Sequence, residues 1–178
     1  MMARANKSGV AGLPAFDEES RSVNAVVEAV RGTRNKFKFH PELGLFVHDS
    51  ILPAGATFPF DFGFVPSTKA EDGDPIDVLI LADEPAFVGA VIPVRLLGAI
   101  TAKQRERGGP IERNDRLIGA AGQSVAYRDV KTLDDLPSAL IDQIEHFWVS
   151  YNEIKGKAFT PLSRIGPRAA ANLIRRTQ

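Results

Sequence analysis

The sequence contains no cysteine. This absence excludes disulfide bonds, thiol catalysis and zinc bound by cysteine. No apolar run approaches the length of about 20 residues that a membrane-spanning helix needs. Residues 1–12 also lack the continuous apolar core of a secretory signal. We therefore expect a cytoplasmic protein without a membrane partner.

Neither sign of charge is in excess, because 22 basic residues balance 22 acidic ones. Nucleic-acid-binding surfaces carry a basic excess, so we expect no nucleic acid partner. The 178 residues suit one domain, and 44% hydrophobic residues are enough for a sizeable core. We place this domain at residues 22–178. Residues 1–21 mix glycine, proline, serine and charges without periodicity, which predicts a flexible N-terminal arm.

Short apolar segments, several of them alternating with polar residues, dominate the first two thirds of the chain. They predict strands at 23–30, 36–39, 45–48, 90–100, 116–120 and 124–127. Pro59 favours an edge position for the aromatic segment 58–64. The polar, glycine-containing residues 103–114 predict a loop.

The hydrophobic period changes to a helical one after Pro137 and remains so up to Tyr151. Residues 168–176 predict a second, shorter helix. Strands come first and helices follow, which disfavours a doubly wound α/β fold. The pattern predicts a mainly β fold of the α+β type, a small barrel or curled sheet with helices packed outside.

Three aspartates, Asp72, Asp74 and Asp77, fall within six residues and are followed by an unbroken apolar run. The Asp-Gly dipeptide and Pro75 predict a turn that leads into a buried strand. Oxygen ligands held by a turn suit a hard cation such as Mg²⁺. Asp-Gly-Asp-Pro is also ordinary turn chemistry. The spacing alone therefore leaves both a metal site and a plain surface turn open.

The segment 72–79 resembles the signature of the family I soluble inorganic pyrophosphatases, in which three acids, a proline and an apolar strand coincide. Other segments resemble the same family in the same order: Glu28 with 32–37, the aromatic segment 58–64, and the helix residues 135–137 and 146–151. The resemblance extends from about residue 22 to residue 160. It implies a five-stranded OB-like barrel with two outer α-helices.

The family hydrolyses inorganic pyrophosphate to phosphate with Mg²⁺ and a metal-activated water. Carried over residue by residue, the resemblance implies that Asp72 and Asp77 are metal ligands and that Glu28 holds metal-bound waters. Asp74 would take the proton from the attacking water.

The resemblance also implies a phosphate-binding side. Lys36 would contact phosphate as a point charge, and Tyr151 would donate a hydrogen bond to it. Family members form homodimers or homohexamers, so we expect a homo-oligomer.

Several polar positions of the family pattern are changed in this chain. Lys38 stands where the family has an acid, and Gln104 and Asn114 stand where it has aspartates. Ser50 replaces an arginine and Asn152 replaces a lysine. Phe58 and Phe62 replace two tyrosines. We expect Asp115 to replace Asn114 as a metal ligand, with Glu106 and Glu112 as further candidates, and Lys38 to act as a counter-charge for phosphate.

These changes make the predicted site more positive than the family pattern, so we expect it to hold fewer Mg²⁺ ions. They also leave two other functions open. One is a catalytically impaired protein that binds a phosphate ligand. The other is a hydrolase of a different phosphoanhydride, because the two phenylalanines make the wall of the site more apolar.

Overall fold

The computed structural model describes residues 9–178 as nine strands and two α-helices, with two short 3-10 turns. The strands are β1 (Val23–Ala29), β2 (Asn35–His40), β3 (Leu45–Ile51), β4 (Asp61–Phe64), β5 (Asp77–Leu81), β6 (Val91–Glu106), β7 (Ile111–Arg113), β8 (Arg116–Ala121) and β9 (Lys157–Ile165). The helices are α1 (Ser138–Ile154) and α2 (Pro167–Arg176).

Five of the strands close into a barrel in the order β1, β4, β5, β8 and β6, and β6 pairs back to β1. Only the β5–β8 pair of this barrel is parallel. The predicted five-stranded barrel of the α+β class is therefore confirmed. The remaining pair, β2 and β3, forms a separate antiparallel hairpin.

Strand β6 is 16 residues long and continues beyond the barrel. A register shift between Leu96 and Gly98 marks an irregularity, and Gly98 has a φ of +156° that L side chains rarely adopt. The distal half of β6 pairs with β7 on one side and β9 on the other. The prediction of a loop at 103–114 was wrong, since the two ends of this segment form the paired strands β6 and β7. Strand β9 was not predicted at all.

Two other strand predictions were wrong. The aromatic segment is not at an edge of the sheet, because β4 lies between β1 and β5. Pro59 is compatible with this position because β4 begins only at Asp61, so the sheet needs no backbone N–H from the proline. Residues 124–127 form a turn instead of a strand, because the backbone N–H groups of Val125 and Ala126 donate to the Asp83 carboxylate.

Each helix covers one side of the barrel, as predicted. Helix α1 places Trp148, which is fully buried, against Phe62 with 4.9 Å between ring centroids. Helix α2 places Ala170 and Ile174 in a second apolar cluster with core residues of β1, β5 and β8. No helix in residues 9–178 is long and apolar enough to cross a membrane.

The predicted N-terminal arm packs against the barrel where the structure describes it. Ala15 is fully buried, the Asn24 side chain donates to the Pro14 carbonyl at 2.9 Å, and Phe16 forms a bridge with Val23. The Arg175 guanidinium of α2 lies 5.4 Å from the Phe16 ring. Residues 1–8 of the predicted arm lie outside the described residues.

Gly63 in β4 provides a test of barrel closure. A Cβ atom at this position would collide with the carbonyl oxygen of Val26 in β1. We expect Gly63→Ala to lower the free energy of unfolding by about 3 kcal/mol, the upper part of the usual overpacking range, because backbone must move. Chemical denaturation measures the loss.

Gly166→Ser is the matched control, because a Cβ atom there meets nothing within 4 Å and serine is favourable at the start of a helix. A Gly63→Ala variant as stable as this control would contradict the close packing of β4 on β1.

Candidate active site

The three aspartates of the sequence motif are held by a tight turn that ends in β5. The Ala70 N–H donates to the Asp74 carbonyl at 2.7 Å, and Gly73 takes a φ of +85°, which favours glycine. The Asp72 carboxylate accepts the Asp74 N–H at 3.1 Å. The turn places all three carboxylates on the same cavity.

This cavity has a volume of about 200 Å³ and lies between the β2–β3 hairpin, the acidic turn, β6, β8 and the end of α1. Its lining residues are Lys36, Lys38, Asp49, Phe62, Asp72, Asp74, Asp77, Gln104, Asn114, Arg116, Tyr151, Asn152, Lys155 and Lys157. Six of the eight predicted site residues therefore line this one cavity. Glu28 and Asp115 are the two that do not line the cavity.

Glu28 is buried behind Lys36, with 3.7 Å between its Oε2 and the Lys36 Nζ, and it accepts the Phe39 N–H at 3.3 Å. Burial raises the pKa of Glu28, and the nearby Lys36 ammonium opposes that shift. The Lys36 ammonium lies 5.0 Å from the centre of the Phe62 ring. In this structure Glu28 orients Lys36 at the cavity wall.

The structure does not bring Asp115 to the three aspartates. Its Oδ1 accepts the Ala102 N–H at 3.0 Å and the Arg113 Nε–H at 2.6 Å, and it faces a different cavity of about 370 Å³. Successive residues of an extended chain point to opposite faces. Because Asn114 points into the site cavity, its neighbour Asp115 points away, and the expected replacement of one ligand by the other fails geometrically.

Two buried amides occupy the part of the cavity beside Asp72. The Asn114 amide donates to the Asp72 Oδ2 at 3.1 Å and to the Gln104 Oε1 at 2.8 Å. Asp72 therefore has hydrogen-bond donors as neighbours but no cationic partner. Within residues 9–178 it is the one cavity carboxylate that forms no ion pair.

The other three cavity carboxylates each contact a basic side chain. Lys38 Nζ donates to both oxygens of Asp74, at 2.7 and 2.9 Å. Lys155 lies 3.7 Å from Asp49, and the guanidinium of Arg116 lies against Asp77.

Arg116 is the main site residue that the sequence analysis missed. It opens β8, is 4% exposed, and its guanidinium lies 4.8 Å from the Trp148 ring and 5.4 Å from the Phe159 ring. Burial lowers the pKa of Arg116 to about 10, so it remains protonated at neutral pH. The one feature of the sequence that could have identified Arg116 is that a charged residue stands at the start of an otherwise apolar strand. Lys155, Lys157 and Asp49 were missed because they lie outside the motifs.

Two buried donors at the cavity have no hydrogen-bond partner, the Tyr151 hydroxyl and the Arg116 Nε. A buried donor without a partner costs about 1–3 kcal/mol. Native proteins keep few such groups, and a bound ligand, ion or water is one way in which the missing acceptor is supplied. Their position beside the lysines indicates an anionic ligand.

The donor set of the acidic side suits a hard cation. Carboxylate oxygens of Asp72, Asp74 and Asp77 are ligands of the kind that Mg²⁺ prefers, and Mg²⁺ is often held by one or two carboxylates together with waters and substrate phosphates. Residues 9–178 contain no group of three or more acidic, histidine or cysteine side chains arranged around one ion position. The residues therefore fit an ion held mainly through Asp72, whose carboxylate is free of cations.

Comparisons with known proteins agree with this geometry. Residues 25–178 match the family described as inorganic pyrophosphatase. The inorganic pyrophosphatase of Thermus thermophilus is 34% identical over 145 residues, 82% of this chain and 80% of the relative, and that of Geobacillus stearothermophilus is 33% identical over 156 residues, 88% of this chain and 92% of the relative.

Solved structures show the same likeness. A crystal structure of the Thermus thermophilus inorganic pyrophosphatase has a TM-score of 0.84 at 31% identity and covers 96% of this chain and 97% of that one. An inorganic pyrophosphatase from Neisseria gonorrhoeae has a TM-score of 0.81 at 29% identity and covers 93% and 94%. With its barrel, its acidic turn and these matches over most of its length, the chain belongs to the inorganic pyrophosphatase family.

Proposed function

We propose that this protein is an inorganic diphosphatase that hydrolyses pyrophosphate to two phosphates. Membership of the family supports this activity. The observation that carries the proposal is the pairing, in one small cavity, of the Asp72–Asp74–Asp77 turn with the partnerless buried donors of Tyr151 and Arg116.

The basic side of the cavity suits the phosphate groups. Tyr151 and Arg116 donate hydrogen bonds to phosphate oxygens and thereby gain the acceptors they lack, and Lys36 adds a fixed positive charge. Charge-assisted hydrogen bonds of this kind are roughly twice as strong as neutral ones. Glu28 acts on substrate only through Lys36, which it positions.

The acidic side of the cavity suits the metal on which enzymes of this family depend. We propose Mg²⁺, held by Asp72 with Asp74 and Asp77 beside it. A divalent cation in such a position supplies charge neutralisation to phosphate oxygens and lowers the pKa of a water that it binds. The Asn114 amide donates to the Asp72 carboxylate, and Gln104 accepts a hydrogen bond from that same amide and so helps to hold it in place.

Asp74 is the proposed general base, and it needs a free carboxylate oxygen to accept a proton. Lys38 covers both of its oxygens in this structure. The side chains of Lys38 and Asp74 are about half exposed, which leaves room for the ammonium to move onto a substrate oxygen. Substrate binding thus frees the base.

The alternative of a hydrolase for a different phosphoanhydride depends on a more apolar wall of the site. Of the two phenylalanines, Phe58 is packed in the core and only Phe62 lines the cavity, under the Lys36 ammonium. A small inorganic anion fits this wall better than a nucleotide.

The expected homo-oligomer, dimer or hexamer, and the cytoplasmic location stay predictions. Sedimentation of the purified protein tests the first, and a monomer at all concentrations would contradict it.

Asp74→Asn tests the proposed base. An amide cannot accept the proton of the attacking water, so phosphate release from pyrophosphate with Mg²⁺ is expected to fall by about 10²- to 10⁴-fold with the fold intact. Glu84→Gln, which removes an exposed carboxylate away from the cavity, serves as control and retains full activity. Activity of Asp74→Asn within a few-fold of wild type would exclude Asp74 as the base.

Tyr151→Phe tests the partnerless hydroxyl through two opposed readouts. Removing a buried donor that has no acceptor is expected to raise the free energy of unfolding of the unliganded protein by about 1 kcal/mol. The same change removes a hydrogen bond to phosphate and raises the KM for pyrophosphate several-fold. Lower stability together with an unchanged KM would show that the hydroxyl has a structural role only.

A further inference from the structure

A smaller cavity adjoins the site cavity on the side of Tyr151. This adjoining cavity has a volume of about 170 Å³ and shares Lys36, Tyr151 and Lys155 with the site cavity. The acidic turn lines the site cavity but not the adjoining one. A molecule that lies in the site cavity with one end at Tyr151 therefore has the adjoining cavity beyond that end.

The lining of the adjoining cavity is more apolar than that of the site cavity. The residues that line it without lining the site cavity are Arg34, Ser50, Ile51, Leu52, Phe58 and Ile154. Four of these six have hydrocarbon side chains, whereas Phe62 is the only such residue in the lining of the site cavity. Among residues 9–178, no carboxylate lines the adjoining cavity. The two cavities together suit a ligand that is anionic at one end and apolar at the other.

Two of the apolar side chains at the adjoining cavity are left largely in solvent. Ile51, the last residue of β3, is 56% exposed, and Ile154, the last residue of α1, is 54% exposed. Removing apolar surface from water is favourable. An alkyl group that covers these two side chains therefore adds affinity to a ligand whose phosphates occupy the site cavity.

The Tyr151 hydroxyl belongs to the wall that the two cavities share. It is a buried donor without an acceptor. A phosphate oxygen next to it accepts its hydrogen bond, and a substituent on the same phosphate then extends into the adjoining cavity. The polar end of that cavity includes the Arg34 guanidinium, whose Nε–H donates to the Leu52 carbonyl at 2.9 Å.

The proposed base lies at a different end of the site cavity. Asp74 also borders a further, acidic cavity of about 330 Å³, but it does not border the adjoining cavity. A diphosphate whose substituted phosphate lies at Tyr151 therefore presents its unsubstituted phosphate towards Asp74. Substitution of one phosphate leaves the reacting phosphate unchanged.

We infer that the protein also accepts organic diphosphates in which one phosphate carries a short apolar group, and that the adjoining cavity receives this group. The inference rests on the proposed function, which supplies the hydrolytic chemistry. The water oxygen bonds to the unsubstituted phosphorus while the bond from that phosphorus to the bridging oxygen breaks. The bridging oxygen keeps the electron pair and leaves as part of the alkyl monophosphate, and Asp74 accepts a proton from the water.

Two matched ligands, n-pentyl diphosphate and methyl diphosphate, test this inference because they carry the same phosphate groups and differ only in apolar length. Phosphate release with Mg²⁺ gives the KM of the full chain for each. Calorimetric titration with the corresponding methylenediphosphonate esters, which resist hydrolysis, gives Kd values. We expect both constants to be at least about tenfold lower for the pentyl compound, because its chain leaves water.

Two variants change the adjoining cavity. Ile154→Gln makes its lining more polar, and Ser50→Arg fills it with a long side chain. Each is expected to reduce the preference for the pentyl compound to about threefold or less. Leu162→Gln is the matched control, because Leu162 lies in β9, is 49% exposed and borders neither cavity, so the full preference remains. Circular dichroism checks that each variant is folded.

Equal constants for the pentyl and methyl compounds would overturn the inference, and so would a preference that survives both variants. Binding of the pentyl diphosphate without its cleavage, in a protein that cleaves pyrophosphate, would overturn the cleavage step. Loss of self-association in Ile154→Gln, with no pentyl preference in the wild type, would assign the apolar residues to a subunit interface and overturn it too. A pentyl preference in Kd without hydrolysis of pyrophosphate contradicts the proposed function alone.

Discussion

A guanidinium group buried at the floor of the cavity joins the barrel, the outer helix and the site. Arg116 begins β8, lies against Asp77 at the start of β5, and is enclosed by the rings of Trp148 from α1 and Phe159 from β9. A buried charge is tolerated only where it is paired, and removing one partner of such a pair costs about 3–5 kcal/mol. The position of α1 over the barrel, and with it Tyr151, therefore depends on this arginine.

The second constraint is the length of β6. Its first half closes the barrel against β1 and β8, and its second half carries β7 and β9 beyond it. This extension brings Gln104 and Asn114 to the side of Asp72, where the Asn114 amide donates both to the carboxylate and to the Gln104 Oε1. The same hairpin turns Asp115 to the opposite face. One strand thus determines which polar side chains reach the site.

Ion pairs inside the cavity explain how its basic side chains are accommodated beside the acidic turn. Lys38 lies on Asp74, Arg116 on Asp77 and Lys155 near Asp49, so only Asp72 is left with neutral donors. Basic side chains therefore balance the charge of three of the four cavity carboxylates, and the acidic turn is kept in these surroundings.

The sequence by itself determined the elements whose signals are local: the acidic turn, most of the barrel strands, the two helices, and through the resemblance the closed barrel and the candidate residues Asp72, Asp74, Asp77, Lys36 and Tyr151. Tertiary structure decided the rest. Lys38 meets Asp74 across 36 residues of chain, Asp115 faces away from the site that its sequence position suggested, and β9 exists only because β6 offers it an edge. Contacts of this kind depend on strand register and on the burial of distant partners, and neither leaves a periodic signal in a single sequence.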